Sequence, residues 1–381
     1  MVPFEFATAN RIIFGAGKLS ELSNLIEGNV QRVLLVRGQS SDAIPRLKEM
    51  LSRFDVTEFQ VHGEPTIELI RAGQQAAQNC DMVIGIGGGS VLDTGKALAA
   101  LVTNPGDVLD YLEVVGKGQP LIRAPLPYIA VPTTAGTGSE VTRNAVIEVT
   151  EQNVKVSLRS PLMLPSVALV DPELTYRLPP EITASTGLDA LTQLIEPFVS
   201  IKANPLTDAI CREGIHHAAR SLRRAYTDGA EKTARAGMSL ASLFGGMALA
   251  NAALGAVHGF AGPLGGLLHA PHGALCARLL PLVMEANIQA LETRQSEHPA
   301  LQRYVEVAKI LTGDETANAR DGVAWTKQLV DDLHIPGLSY YGMNGGRFDE
   351  AIEKTQKASS FKGNPIPLQE NELREILEKA Q

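Results

Sequence analysis

Short apolar, β-branched runs recur through the first 170 or so residues of this chain and then stop. That change of period bounds the possible folds more tightly than any motif. The runs are Val33-Leu34-Leu35-Val36, Met82-Val83-Ile84-Gly85-Ile86, Tyr128-Ile129-Ala130-Val131 and Val167-Ala168-Leu169-Val170, with helical periodicity between some of them, as from Ile67 to Asn79. Such alternation implies a parallel sheet covered on both faces. The runs Ala145 to Thr150 and Val154 to Leu158 read as a hairpin added to that sheet, turning at Glu151-Gln152-Asn153. After Asp171 the character changes. Leu178-Pro179-Pro180-Glu181 is a breaker followed by a helix start, and Thr186 to Val199, Pro205 to Ala225 and Ala230 to Ala252 all keep a helical period. We therefore expect an α/β domain over residues 1–176 and an all-helical domain over residues 177–381. Ligands in such proteins favour the crevice outside the carboxyl ends of the strands.

Composition narrows the function classes. A hydrophobic fraction of 44% with 20% charged residues suits a soluble globular protein, and a net charge of −8 argues against nucleic acid and anionic membranes as partners. The N-terminus lacks the basic and apolar regions of a signal peptide, and no run approaches the roughly 20 apolar residues of a membrane span. Cys80, Cys211 and Cys276 are odd in number and widely spaced. They read as neither a disulfide framework nor a thiolate metal site, and they fit a reducing cytoplasm.

Two loops carry the chemistry of the first domain. The run Met82 to Ile86 leads into Gly87-Gly88-Gly89-Ser90, and Val91-Leu92-Asp93 continues into a helix. Glycines let a backbone approach a ligand closely and take positive φ, and the following helix N-terminus offers free N–H groups. Together they suit a pyrophosphate. The second loop, Pro132-Thr133-Thr134-Ala135-Gly136-Thr137-Gly138-Ser139-Glu140, follows another buried strand and gathers hydroxyls that can bond phosphate, ribose or carboxamide.

The helical half offers a metal constellation. Asp189 and Gln193 stand at i, i+4 on one helix face, and His258 and His272 follow. A carboxylate and two imidazoles can hold a divalent cation and leave positions open for a substrate oxygen.

Gly-Gly-Gly-Ser-Val-Leu-Asp and Pro-Thr-Thr-Ala-Gly-Thr-Gly-Ser-Glu-Val-Thr closely resemble the two cofactor loops of the iron-containing alcohol dehydrogenases, and the likeness runs from Ile13-Phe14-Gly15 to Lys362-Gly363-Asn364-Pro365. The resemblance implies an α/β nucleotide-binding domain, a helical metal-binding domain and a homodimer. It implies NAD- or NADP-dependent hydride transfer on a small alcohol or aldehyde, with one divalent metal, iron or zinc, as Lewis acid. Gly87, Gly88, Gly89, Ser90 and Asp93 would then serve the pyrophosphate, and Thr133, Thr134, Thr137 and Ser139 the nicotinamide end. Lys155 matches a family lysine near the cofactor. Asp189, His258 and His272 match metal ligands. Gln193 stands where the family has a histidine ligand, and is a weak neutral fourth donor, a partner for a metal-bound water or, if the metal has been abandoned, a hydrogen-bond partner for substrate. Gly262 stands where many members carry an active-site histidine, while His269 is a lesser candidate for proton relay. Gly38 takes the place of an aspartate that would meet the adenosine ribose, and Arg37, Ser40 and Ser41 could meet a 2′-phosphate. NADP is therefore expected to serve at least as well as NAD. The rival readings are a sugar-phosphate cyclase of the dehydroquinate synthase type, disfavoured because Leu254 to Gly273 has no Lys or Arg, and a nucleotide-binding protein that has lost its chemistry.

Overall fold

The computed structural model describes residues 3–39, 43–152 and 154–381; Ser40, Ser41 and the turn residue Asn153 lie outside them. The chain divides into two compact units. One comprises Thr8–Thr134 and Gly138–Arg177; the other comprises Leu178–Gln381 with the segment ending at Ala7 and with Ala135–Thr137.

The first unit is built from β1 (Arg11–Phe14), β2 (Arg32–Arg37), α1 (Ala43–Met50), β3 (Asp55–Gln60), α2 (Ile67–Ala76), β4 (Met82–Gly87), α3 (Gly89–Thr103), α4 (Val108–Tyr111), β5 (Tyr128–Pro132), β6 (Asn144–Val149), β7 (Val154–Arg159) and β8 (Val167–Val170). Six strands form one sheet in the order β1-β8-β5-β4-β2-β3, every pairing parallel. The four strands expected from their apolar runs are the inner four. Central strands of a parallel sheet bury both faces, so β4 and β5 are buried at every position. The edge strands β1 and β3 escape that pattern. Half of β3, Asp-Val-Thr-Glu-Phe-Gln, is exposed, so its sequence carries neither a run nor an alternation.

The β6–β7 hairpin exists, but it is not part of the main sheet. It forms a two-stranded antiparallel sheet of its own. It is tied down through single bridges to Thr66 and Leu112 and through Asp93 on α3, whose Oδ2 accepts from Val146 N at 2.9 Å. Its alternating burial faces one side only, which suits a flap on the core rather than an inserted strand.

The second unit holds α5 (Pro180–Val199), α6 (Pro205–Thr227), α7 (Lys232–Ala252), α8 (Ala256–Leu268), α9 (His272–Arg294), α10 (Pro299–Thr312), α11 (Ala319–Asp332), α12 (Phe348–Lys357) and α13 (Glu370–Lys379). Proline at the first helical position starts α5, α6 and α10, where a missing N–H costs nothing. Buried Arg235 of α7 ties down the approach to α5, donating to Thr183 Oγ1 at 2.8 Å and to the Leu178 carbonyl at 3.2 Å. Helix α9 is long and apolar enough by composition to cross a membrane, but 72% of its most apolar stretch is buried among the other helices. It packs against α5 and α8, and these three helices carry the polar cluster described next.

Candidate metal and cofactor sites

Asp189 lies mid-way along α5 and is 2% exposed. A carboxylate so placed must meet partners or a cation. His258 of α8 and His272 at the start of α9 meet it: their Nε2 atoms lie 3.3 and 4.0 Å from Asp189 Oδ1. That oxygen nevertheless has no hydrogen-bond partner among the described residues.

The orientation of His258 explains why. Glu196, seven residues after Asp189 on the same face of α5, accepts from His258 Nδ1 at 2.7 Å. A carboxylate can only accept, so Nδ1 carries a proton, and it is Nε2 that would give up its proton to present a lone pair to a cation. Glu196 is itself fixed by the Val257 amide, which donates to its Oε1 at 2.6 Å. Asn364 accepts from the adjoining Ala256 amide at 3.1 Å and bonds Asn287, so the Lys362-Gly363-Asn364-Pro365 segment braces the start of α8.

Electrostatics follow from this crowding. Burial works against charging His258, but Cys276, Asp189 and Glu196 around it hold its pKa well above the usual histidine range. Burial likewise opposes charging His272, and Cys276 and Asp189 raise it. Burial pushes Asp189 up, yet the close approach of His258 and the charge of His272 hold its carboxyl below the usual range. Two imidazole Nε2 atoms crowded onto one carboxylate oxygen that has no hydrogen-bond partner suit a divalent cation that would displace their protons.

One residue of this site departs from expectation. Cys276 does belong to it: with Asp189, His258 and His272 it forms a group of potential ligand atoms all within 4.8 Å of one another. Spacing between cysteines could not reveal this, because the partners are histidines. The legible signal was its place four residues after His272. Gln193 is 3% exposed with its Oε1 also unpaired. His269 caps α8 in the left-handed region, exposed to solvent, and does not join the cluster. A Cβ on Gly262, one turn after His258, would meet nothing within 4 Å.

In the α/β unit the glycine loop and Thr133-Thr134 at the start of the hydroxyl loop adjoin at the carboxyl ends of β4 and β5. Thr133 N donates to the Gly87 carbonyl at 2.9 Å, and a Cβ on Gly88 would lie 3.3 Å from Thr134 Cγ2. None of Gly87, Gly88 and Gly89 has positive φ, contrary to expectation. Gly87 is required for size: a Cβ there would lie 2.5 Å from the Val91 side chain. Gly88, Gly89 and Ser90 are half-exposed, and no side chain caps α3, so its first amides are open to an anion.

Thr133, Thr134 and Thr137 are half-exposed, whereas Ser139 is buried. Ser139 Oγ donates to Asp93 and accepts from buried Lys96 Nζ at 3.0 Å. Lys96 also reaches Thr142 Oγ1 at 2.9 Å and the Asn144 carbonyl at 2.7 Å. Asp93 and Ser139 thus brace the loops from inside. Lys96 and Glu140 were not singled out from the sequence. Burial pushes the Glu140 carboxyl up to about 7, against its own backbone N–H and the charge of Lys96. Lys155 pairs with Glu64 at 3.2 Å, and Arg37 with Glu58 at 2.8 Å.

Residues 9–172 match the iron-containing alcohol dehydrogenase family, and residues 183–381 match the C-terminal part of the same family. Alcohol dehydrogenase 4 of Saccharomyces cerevisiae is 36% identical over 377 residues, 96% of each chain. The solved alcohol dehydrogenase from Oenococcus oeni superposes with a TM-score of 0.90 at 32% identity over the whole of both chains. A sulfoacetaldehyde reductase from Bifidobacterium kashiwanohense, solved with NAD+, superposes with a TM-score of 0.87 at 26% identity over 100% of this chain and 99% of its own. Neither the cyclase nor the lapsed-protein reading finds support among these relatives. The chain belongs to the iron-containing alcohol dehydrogenase family.

Proposed function

We propose that this chain catalyses reversible hydride transfer between a nicotinamide dinucleotide and a small alcohol or its aldehyde, with a divalent cation held by Asp189, His258 and His272. The observation that carries the reading is the unpaired, buried Asp189 Oδ1 facing two imidazole nitrogens. What the cation supplies when bound is Lewis-acid polarisation of a carbinol or carbonyl oxygen, and what the dinucleotide supplies is the hydride.

The chain's own residues do the rest. The open amides at the start of α3, with Gly88 and Gly89 bare of side chains, bind the pyrophosphate. Thr133, Thr134 and Thr137 offer hydroxyls toward the nicotinamide end, while Asp93, Lys96 and Ser139 keep the loops in shape. Glu196 holds the proton of His258 on Nδ1. His272, its side chain 35% exposed, is the accessible member of the set, and Gly262 leaves open space beside His258. Gln193 Oε1, buried and unpaired, lies against α7 near Gly245. NADP serves at least as well as NAD, since Gly38 places no carboxylate after β2, although Arg37 must then be shared with Glu58. Three buried free thiols suit a reducing cytoplasm. The homodimer implied by the resemblance is checked by light scattering.

The test is NAD(P)H oxidation across a panel of small aldehydes, with metal analysis before and after chelation. Turnover should vanish on chelation and return with added divalent metal. Full turnover in metal-free protein overturns the metal reading, and no turnover with any aldehyde or alcohol in metal-loaded protein overturns the activity.

A further inference from the structure

Asp189, His258 and His272 supply three donors, and the sequence pairs Gln193 with them. Packing brings in a fourth of a different kind. Cys276 lies one turn after His272 on α9 and is fully buried. Its Sγ is 3.8 Å from His258 Nε2 and 3.6 Å from His272 Nε2. Donors about 2.0–2.3 Å from a tetrahedral centre lie about 3.3–3.8 Å from one another. Asp189 Oδ1 stands 3.3 and 4.0 Å from the same two nitrogens. These spacings are close to those of a tetrahedral shell.

A buried thiol is often only a small apolar filler. Here its sulfur instead faces two imidazole nitrogens, one on a ring whose other nitrogen is held by Glu196, beside a carboxylate oxygen with no hydrogen-bond partner among the described residues. Gln193 is placed differently. Its Oε1 lies against α7, 3.5 Å from the position a Cβ would take on Gly245. A neutral amide oxygen is also a poorer donor than a thiolate for a borderline-soft cation.

Building on the metal-dependent reading above, we propose that Cys276, not Gln193, is the fourth ligand. The shell is then one sulfur, two nitrogens and one oxygen, and it takes a divalent cation of zinc-like softness. On binding, the S–H bond breaks as the sulfur–metal bond forms, and the proton leaves to solvent.

The full-length protein, stripped and reloaded with cobalt(II) or zinc(II), tests this. The cobalt form should show a thiolate-to-metal charge-transfer band in the near ultraviolet. X-ray absorption of the zinc form should show one sulfur neighbour at about 2.3 Å. Cys276→Ser should lose both signals and bind zinc at least about tenfold more weakly in chelator competition. Gln193→Ala should keep both signals. Wild-type protein that binds one metal per chain with neither signal overturns the thiolate assignment and leaves the three-ligand site standing. Wild-type protein that takes up no stoichiometric metal overturns the metal reading as well. The decisive signals come from the wild-type chain, so a Cys276→Ser variant that fails to fold does not weaken the test.

Discussion

Glu196 Oε2 accepts the Nδ1 proton of His258 at 2.7 Å, and that bond aims His258 Nε2 at Asp189. One carboxylate on α5 therefore orients an imidazole on α8, while another on the same face of α5 stands opposite its Nε2.

Removing that orienting bond should loosen the cation without removing a ligand. Outer partners of metal-bound histidines are worth about 10- to 100-fold in metal affinity or activity. Glu196→Gln should fall in that range, because the amide keeps the size but can bond His258 in the wrong tautomer. Zinc competition with a chromophoric chelator measures it. Unchanged affinity would mean that the rest of the site alone fixes the His258 ring.

Gly88→Val tests the cofactor loop. The backbone there has an ordinary φ of −75°, so a side chain is tolerated locally. Its Cβ would nevertheless press on Thr134 at 3.3 Å and stand over the open amides of α3. Nicotinamide binding should weaken by about tenfold or more, about 1.4 kcal/mol per decade, with the fold retained by circular dichroism. Titration of NADH fluorescence reads the change, and unaltered binding would sink the pyrophosphate assignment.

Cofactor choice turns on Gly38. A Cβ there meets only Val91 Cγ2 at 3.7 Å, so a larger residue fits. Gly38→Asp should shift the ratio of kcat/KM for NADP over NAD toward NAD by about tenfold, the scale of one lost or gained charged hydrogen bond. A wild-type enzyme with strong preference for NAD would defeat the expectation.

Glu140 makes the stability of the α/β unit depend on pH. Burial, the largest influence, raises its carboxyl from the ordinary 4.5 to about 7. The folded chain therefore holds a proton that the unfolded chain releases between those values. By linkage, stability from this group is full below pH 4.5 and declines as pH rises to about 7. The loss is about 3 kcal/mol at about 1.4 kcal/mol per unit. Glu140→Gln should flatten the fall in urea midpoint between pH 5 and 8. An unchanged slope would mean that the proton is held elsewhere.

How much of this was legible in the chain follows from what each feature needs. The inner strands could be read because burial on both faces writes itself as continuous apolar runs, and α5 because its prolines and its Asp189–Gln193 face are local patterns. The edge strands β1 and β3 could not, since half-solvated strands carry no such signature. The two cofactor loops were visible as glycine and hydroxyl clusters directly after strands. Their internal bracing was not visible: Lys96 reaches Ser139, Thr142 and Asn144 across more than 40 positions. Asp189, His258 and His272 were nameable one by one, because residue type and motif speak for each. That Cys276 joins them, that Glu196 orients His258 and that Gln193 lies against Gly245 were decided only by packing α5, α7, α8 and α9 together. Donor groups become a site when their atoms come within bonding distance, and distance between helices is a property of the fold, not of spacing along the chain.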